Sequence, residues 1–172
     1  SAGNLTQTVN PKSQTVNYSY DSLNRQLTED FTGQSGTEVT YAYDFCANGV
    51  GRLCSVTNPF LTQSQSYNAL GNIATFTSTL NSTEYVSEYT YDRQGNLLNL
   101  TNPDNSLLSY SYNQAGQIKT ITLQDTATST PNTIVSNFTY TPTESVATIN
   151  FGNSAVTTNT YDANNLYRLT NK

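Results

Sequence analysis

The stretch YTYDRQGNLLNL, Tyr89 to Leu100, decides the fold. Twenty-one residues after its start the chain reads YSYNQAGQIKTI, and far upstream it reads YSYDSLNRQL. Anchored on the second aromatic, the units fall at Tyr20, Tyr43, Tyr67, Tyr91, Tyr112, Tyr140 and Tyr161, in steps of 21 to 28 residues. Two positions earlier stand Tyr18, Tyr41, Gln65, Tyr89, Tyr110, Phe138 and Asn159. A spacing of two puts both side chains on one face of a strand. Eleven of the 13 tyrosines lie in these two columns, so the repeat and not the composition places them.

After each anchor comes Asp21, Asp44, Asn68, Asp92, Asn113, Thr141 or Asp162. Asp and Asn side chains accept hydrogen bonds from backbone N–H groups two residues on, and so open turns. Four after the anchor come Asn24, Gly71, Gly95, Gly116 and Asn165, residues that tolerate positive φ. In the enlarged second turn Gly51 takes this part. Apolar residues then resume at Leu53, Ile73, Leu97, Ile118 and Val146, and again three later at Val56, Phe76, Leu100, Ile121 and Ile149. Each unit therefore reads strand, tight turn, strand: a β-hairpin. A spacing of three puts two residues on opposite faces of a regular strand. Either both faces are partly buried or a bulge intervenes. Repeat three departs at Gln65 and Asn68. Repeat six, FTYTPTESVATI, has neither the acid nor the glycine, which weakens the turn expected there.

One hairpin alone is marginal in water, whereas stacked hairpins share a continuous layer. Tyrosines of neighbouring hairpins are expected to form rows of rings, each pair adding about 0.5–1.5 kcal/mol. Tyr91 and Tyr112, if fully enclosed, would each cost about 3–5 kcal/mol on truncation to alanine. The tyrosine columns read as a structural ladder or as a platform on which sugars stack.

The chain has 172 residues, 11% of them charged, and a net charge of −5. The seven Lys and Arg are scattered, which argues against nucleic acid as a partner. No apolar run is long enough for a membrane-spanning helix. With no His, the common general base is missing, and the aspartates belong to turns. No enzymatic activity, cofactor or metal site is expected. Cys46 and Cys54, the only two cysteines, flank the enlarged turn DFCANGVGRLC. They form either a disulfide across that turn or two free thiols.

Several copies in register, YSYDSLNRQL, YAYDFCANGVGRLCSV, YTYDRQGNLLNL, YSYNQAGQIKTI and TYDANNLYRLTN, resemble the YD repeats of the RHS family. That family includes the cocoon-forming subunits of Tc toxins, polymorphic toxins, wall-associated proteins and teneurins. The resemblance implies an all-β fold: tandem YD-repeat hairpins forming one continuous, curved or spiralling antiparallel sheet. Residues 1–172 are expected to be a single array of about seven repeats within a longer chain. It implies a structural scaffold, part of a secreted or cell-surface bacterial shell that encloses or presents a cargo such as a toxin domain. Its partners would be neighbouring repeats of the parent chain and that cargo. Bare strand edges would also favour self-association. The alternative is an extracellular carbohydrate-binding or adhesion module, with a glycan as partner and rows of Tyr and Asn as its surface.

Overall fold

The computed structural model describes residues 3–172, which contain strands and turns and no helix. Two compact units divide the chain, Ser1–Ser87 and Glu88–Lys172. In the first, β1 (Gln7–Val9), β2 (Thr15–Tyr20), β3 (Gln26–Phe31), β4 (Val39–Tyr43), β5 (Leu53–Thr57), β6 (Leu61–Tyr67) and β7 (Ile73–Leu80) follow one another. β8 (Thr83–Tyr91) carries the chain into the second. There follow β9 (Leu97–Thr101), β10 (Leu107–Tyr112), β11 (Ile118–Gln124), β12 (Asn132–Tyr140), β13 (Val146–Phe151) and β14 (Val156–Thr158). β15 (Thr160–Asp162) and β16 (Arg168–Asn171) close the chain as a separate two-stranded hairpin. Within each unit, apart from the break between β14 and β15, strands adjacent in sequence are adjacent in the sheet and antiparallel, as tandem hairpins require.

The three-residue spacing of apolar positions is resolved by a bulge. In all seven hairpins the register shifts between the anchor tyrosine and the residue before it. Tyr91 lies opposite Leu97 and Thr90 opposite Asn99, so Leu98 is the extra residue. Leu100 then lies opposite Tyr89. Cross-strand partners share a face, so the bulge returns Leu97 and Leu100 to the side of the two tyrosines. One face is therefore aromatic and aliphatic. The other is hydroxylated. Its cross-strand pairs Ser19–Thr28, Ser66–Thr75, Ser111–Thr120 and Thr139–Thr148 bond at 2.5, 2.7, 2.6 and 2.6 Å.

Turn chemistry explains where the strands stop. Asn24, Gly71, Gly95 and Gly116 take φ of 62°, 86°, 89° and 78°. Repeat six keeps its turn despite lacking the motif: Glu144 adopts φ 65° and Thr141 Oγ1 accepts from Ser145 N–H. In repeat seven the left-handed residues are Leu166 and Tyr167, not the expected Asn165. At the return end Asn58 and Asn102 each precede a proline and close turns onto Leu61 and Ser106. Asn10-Pro11 does the same onto Gln14, a third copy that is easily missed because no leucine follows it. Asn81 and Ser82, both at positive φ, form the two-residue turn from β7 into β8.

Each unit is one layer of strands, and a single layer has no second one to bury its apolar face. Among the described residues the buried apolar side chains are Cys54, Tyr67 and Val135. Tyr91 and Tyr112 are half-buried, which corrects the expectation of full enclosure. Their truncation is worth about 2 kcal/mol rather than 3–5. Among the described residues of each unit, rows of stacked rings do not form either. The stacked pair among the described residues, Phe138 and Tyr140 at 6.3 Å, lies within one strand.

Candidate functional site

The anchor tyrosines do something more specific than stacking. Six of the seven anchor hydroxyls reach back along the chain and donate to a backbone carbonyl. The pairs are Tyr20 to Leu5 O at 2.8 Å, Tyr43 to Gln26 O at 2.9 Å and Tyr67 to Leu53 O at 2.7 Å. In the second unit they are Tyr112 to Leu97 O at 2.7 Å, Tyr140 to Ile118 O at 2.6 Å and Tyr161 to Val146 O at 2.9 Å. From Tyr43 onward within each unit, the acceptor is the residue opposite the previous anchor, next to the bulge. A bulge leaves backbone groups outside the ladder, and the next tyrosine takes up one of them. Burial raises the hydroxyl pKa of Tyr43, Tyr91, Tyr112 and Tyr140, which keeps the Tyr43, Tyr112 and Tyr140 donors protonated. Tyr112→Phe keeps the ring and removes the donor. It is expected to lower unfolding free energy by about 0.5–1.5 kcal/mol in urea melts; an unchanged midpoint would show that the lock carries no energy.

The first tyrosine column is less uniform. Tyr18 shares a hydrogen bond with Thr8 Oγ1 at 3.1 Å, and Tyr41 donates to Glu29 Oε1 at 2.9 Å. Tyr89 and Tyr110 lie half-buried opposite Leu100 and Ile121. Gln65 stands in this column and donates to Leu53 O. Asn159 donates to Val146 O. These two amides thus reach backward as the anchor hydroxyls do.

The acids cap the turns. Asp21 Oδ1 accepts from Leu23 and Arg25 N–H, and Asp92 Oδ1 from Gln94 and Asn96 N–H. Asp162 accepts from Asn164, and Asp44 from Gly51, whose φ is 79°. Sequence reasoning missed the arginine that follows the turn residue, although Asn24-Arg25 and Gly51-Arg52 were there to be read. Arg25 clasps Asp21 through Nε at 2.6 Å and forks onto both oxygens of Asp44 in the next hairpin at 3.0 and 2.6 Å. Its guanidinium lies 4.4 Å from the centre of the Tyr43 ring. Arg52 repeats the move over Tyr67 at 5.1 Å. The Arg25 fork, with the Gly51 N–H, holds the Asp44 carboxyl down at about 2. A depressed carboxylate stabilises the fold above its ordinary pKa, and that contribution is lost as pH falls toward about 2. Arg25→Gln is expected to return the Asp44 titration, followed by NMR, toward the ordinary carboxylate range. It should also flatten the loss of stability on acidification.

Cys46 and Cys54 are joined across the enlarged turn, with Cα atoms 5.5 Å apart. Gly49 packs against both sulfurs, where a Cβ would collide with them. The loop this closes docks on the next hairpin: Tyr67 N–H donates to Ala47 O, and Asn48 Nδ2 donates to Tyr67 O at 2.8 Å.

Within each unit, hairpins bonded one to the next in this way form a continuous sheet. Residues 67–107 and 91–130 match the RHS Repeat family model. No curated protein matches the chain. Among solved structures, the crystal structure of TcdB2-TccC3 superposes with TM-score 0.87 at 17% identity, over 97% of this chain and 10% of that one. The complex TcdB2-TccC3-Cdc42 gives TM-score 0.83 at 18% identity, over 97% and 9%. The Photorhabdus luminescens Tc holotoxin pore gives the same four values. The chain thus spans about a tenth of each protein whose fold it shares. With residues 67–130 matching the RHS repeat and the same bulged, capped hairpin on either side of them, the chain is similar to the YD-repeat proteins of the RHS family.

Proposed function

We propose that this chain is a wall segment of an RHS-type shell, in a longer secreted or cell-surface bacterial protein that encloses or presents a cargo such as a toxin domain. The observation that carries this reading is the lock from five anchor hydroxyls, within each unit, to the hairpin before them. It supplies the nearest-neighbour interface that a repeat array needs in place of a core. The likeness in fold to Tc toxin structures supports the same reading. Cryo-electron microscopy of the full-length protein is expected to show a hollow shell with this segment in its wall. An open, cargo-free ribbon would overturn the proposal.

The carbohydrate-binding alternative needs rings and hydroxyls free for a ligand. Six anchor hydroxyls are already committed to backbone carbonyls, which weighs against it. Self-association through sheet edges remains part of the proposal. Light scattering on the 172-residue chain is expected to show mass rising with concentration. A constant monomer mass would mean that the edges are protected.

A further inference from the structure

Repeat one breaks the apolar columns of the aromatic face. Where the other hairpins place Leu53, Ile73, Leu97, Ile118 and Val146, it has Gln26. Where they place Val56, Phe76, Leu100, Ile121 and Ile149, it has Glu29. Glu29 lies on β3 opposite Tyr18 on one side and Val39 on the other, and is half-buried. Its Oε1 accepts from Gln26 Nε2 at 2.8 Å and from the Tyr41 hydroxyl at 2.9 Å. Among the described residues Oε2 accepts nothing, and no cation of the chain pairs with the carboxylate. Arg25 is spent on Asp21 and Asp44, and Arg52 lies over Tyr67 beside Gly71 O.

Glu29 is half-buried with one oxygen unbonded, so it is open to an opposite charge, and the apolar face around it strengthens that attraction. Tyrosine rings beside it add attraction for the same sign of charge. This chain already seats guanidinium groups over two tyrosines of this face, Tyr43 and Tyr67. Tyr18 and Tyr41, next to Glu29, carry none. We propose that Glu29, Tyr18, Tyr41 and Gln26 form a seat for the ammonium or guanidinium side chain of a partner polypeptide lying across β2, β3 and β4. A polypeptide is favoured over a free amine because Val16, Phe31 and Val39 continue the face on either side of the carboxylate, by register. These residues give apolar contact to chain flanking the cation. The Tyr41 hydroxyl, its pKa pushed up to about 12 first by burial and then by the bond to Glu29, stays protonated and keeps the carboxylate aimed. The inference stands apart from the shell reading, since it concerns a local site on isolated hairpins.

The test is an NMR titration of the isotope-labelled 172-residue chain. The probes are an acetylated, amidated Gly-Lys-Gly peptide, its norleucine analogue, and n-butylammonium. The lysine peptide is expected to give saturable shifts at the Glu29 carboxyl carbon and the Tyr18 and Tyr41 rings, with millimolar Kd. Glu29→Gln, which still accepts from Tyr41, should weaken it about fivefold or more. Glu144→Gln, at a remote exposed carboxylate, should leave it unchanged. Norleucine peptide binding as well as lysine peptide, or no effect of Glu29→Gln, would overturn the cation seat. Free butylammonium binding more tightly than the lysine peptide would overturn the assignment to a polypeptide.

Discussion

Tyr67→Ala is expected to cost about 3–5 kcal/mol in denaturant unfolding, the largest effect of any single truncation on the aromatic face. Tyr67 is the one anchor that is buried, at 9% exposure, while its counterparts are half-buried. The difference comes from its neighbours. Arg52 covers the ring, Gln65 and Leu53 O hold the hydroxyl, and the disulfide loop bonds its backbone on both sides. Alanine would empty the space under Arg52 and leave Leu53 O with Gln65 Nε2 as its one remaining side-chain donor. Tyr67→Phe keeps the ring and should recover most of the loss, leaving about 0.5–1.5 kcal/mol for the hydroxyl. If Tyr67→Ala costs no more than Tyr112→Ala, the cover over Tyr67 contributes nothing and the locks are equivalent.

Opening the Cys46–Cys54 bridge is expected to cost about 2–3 kcal/mol, the entropy of closing so short a loop. A thiol titration of the denatured, unreduced chain should find no free thiol. Reduction, or the double change Cys46→Ala with Cys54→Ala, should lower the urea midpoint. The consequence should reach beyond the loop, because Ala47 and Asn48 bond to Tyr67. Amide exchange is expected to accelerate at Tyr67 and along β6, and hardly at all at Tyr112. The costs of bridge removal and of Tyr67→Ala should then fall short of additive, as for groups sharing one contact network. Additive costs would mean that the loop docks without coupling.

Much of this fold was legible in the chain itself. A period of 21 to 28 residues, a tyrosine pair spaced by two, and an Asp or Asn followed by a left-handed residue are local signals. Strand alternation and turn conformation are local physics, so the all-β hairpin array, its turn caps and its resemblance to YD repeats follow from residues near one another. The same locality made repeat six legible only in part. Glu144 has no preference that announces φ 65°, and it adopts that angle because the flanking strands are already paired.

What the sequence determined by itself, then, is the hairpin and its repetition. What only the tertiary structure decided is how one hairpin holds the next. The apolar spacing of three was ambiguous because a bulge is a property of a strand pair, and no single strand records its register. The tyrosine hydroxyl finds a carbonyl one hairpin back because the bulge leaves that group outside the ladder. Arg25 meets Asp44, 19 residues on, because two turns lie side by side on one rim. Glu29 stands out as an uncompensated charge only once Tyr18 and Val39 are known to flank it. Each of these is a contact between elements. Its energy depends on which strands become neighbours, and that is settled by the pairing of the whole sheet.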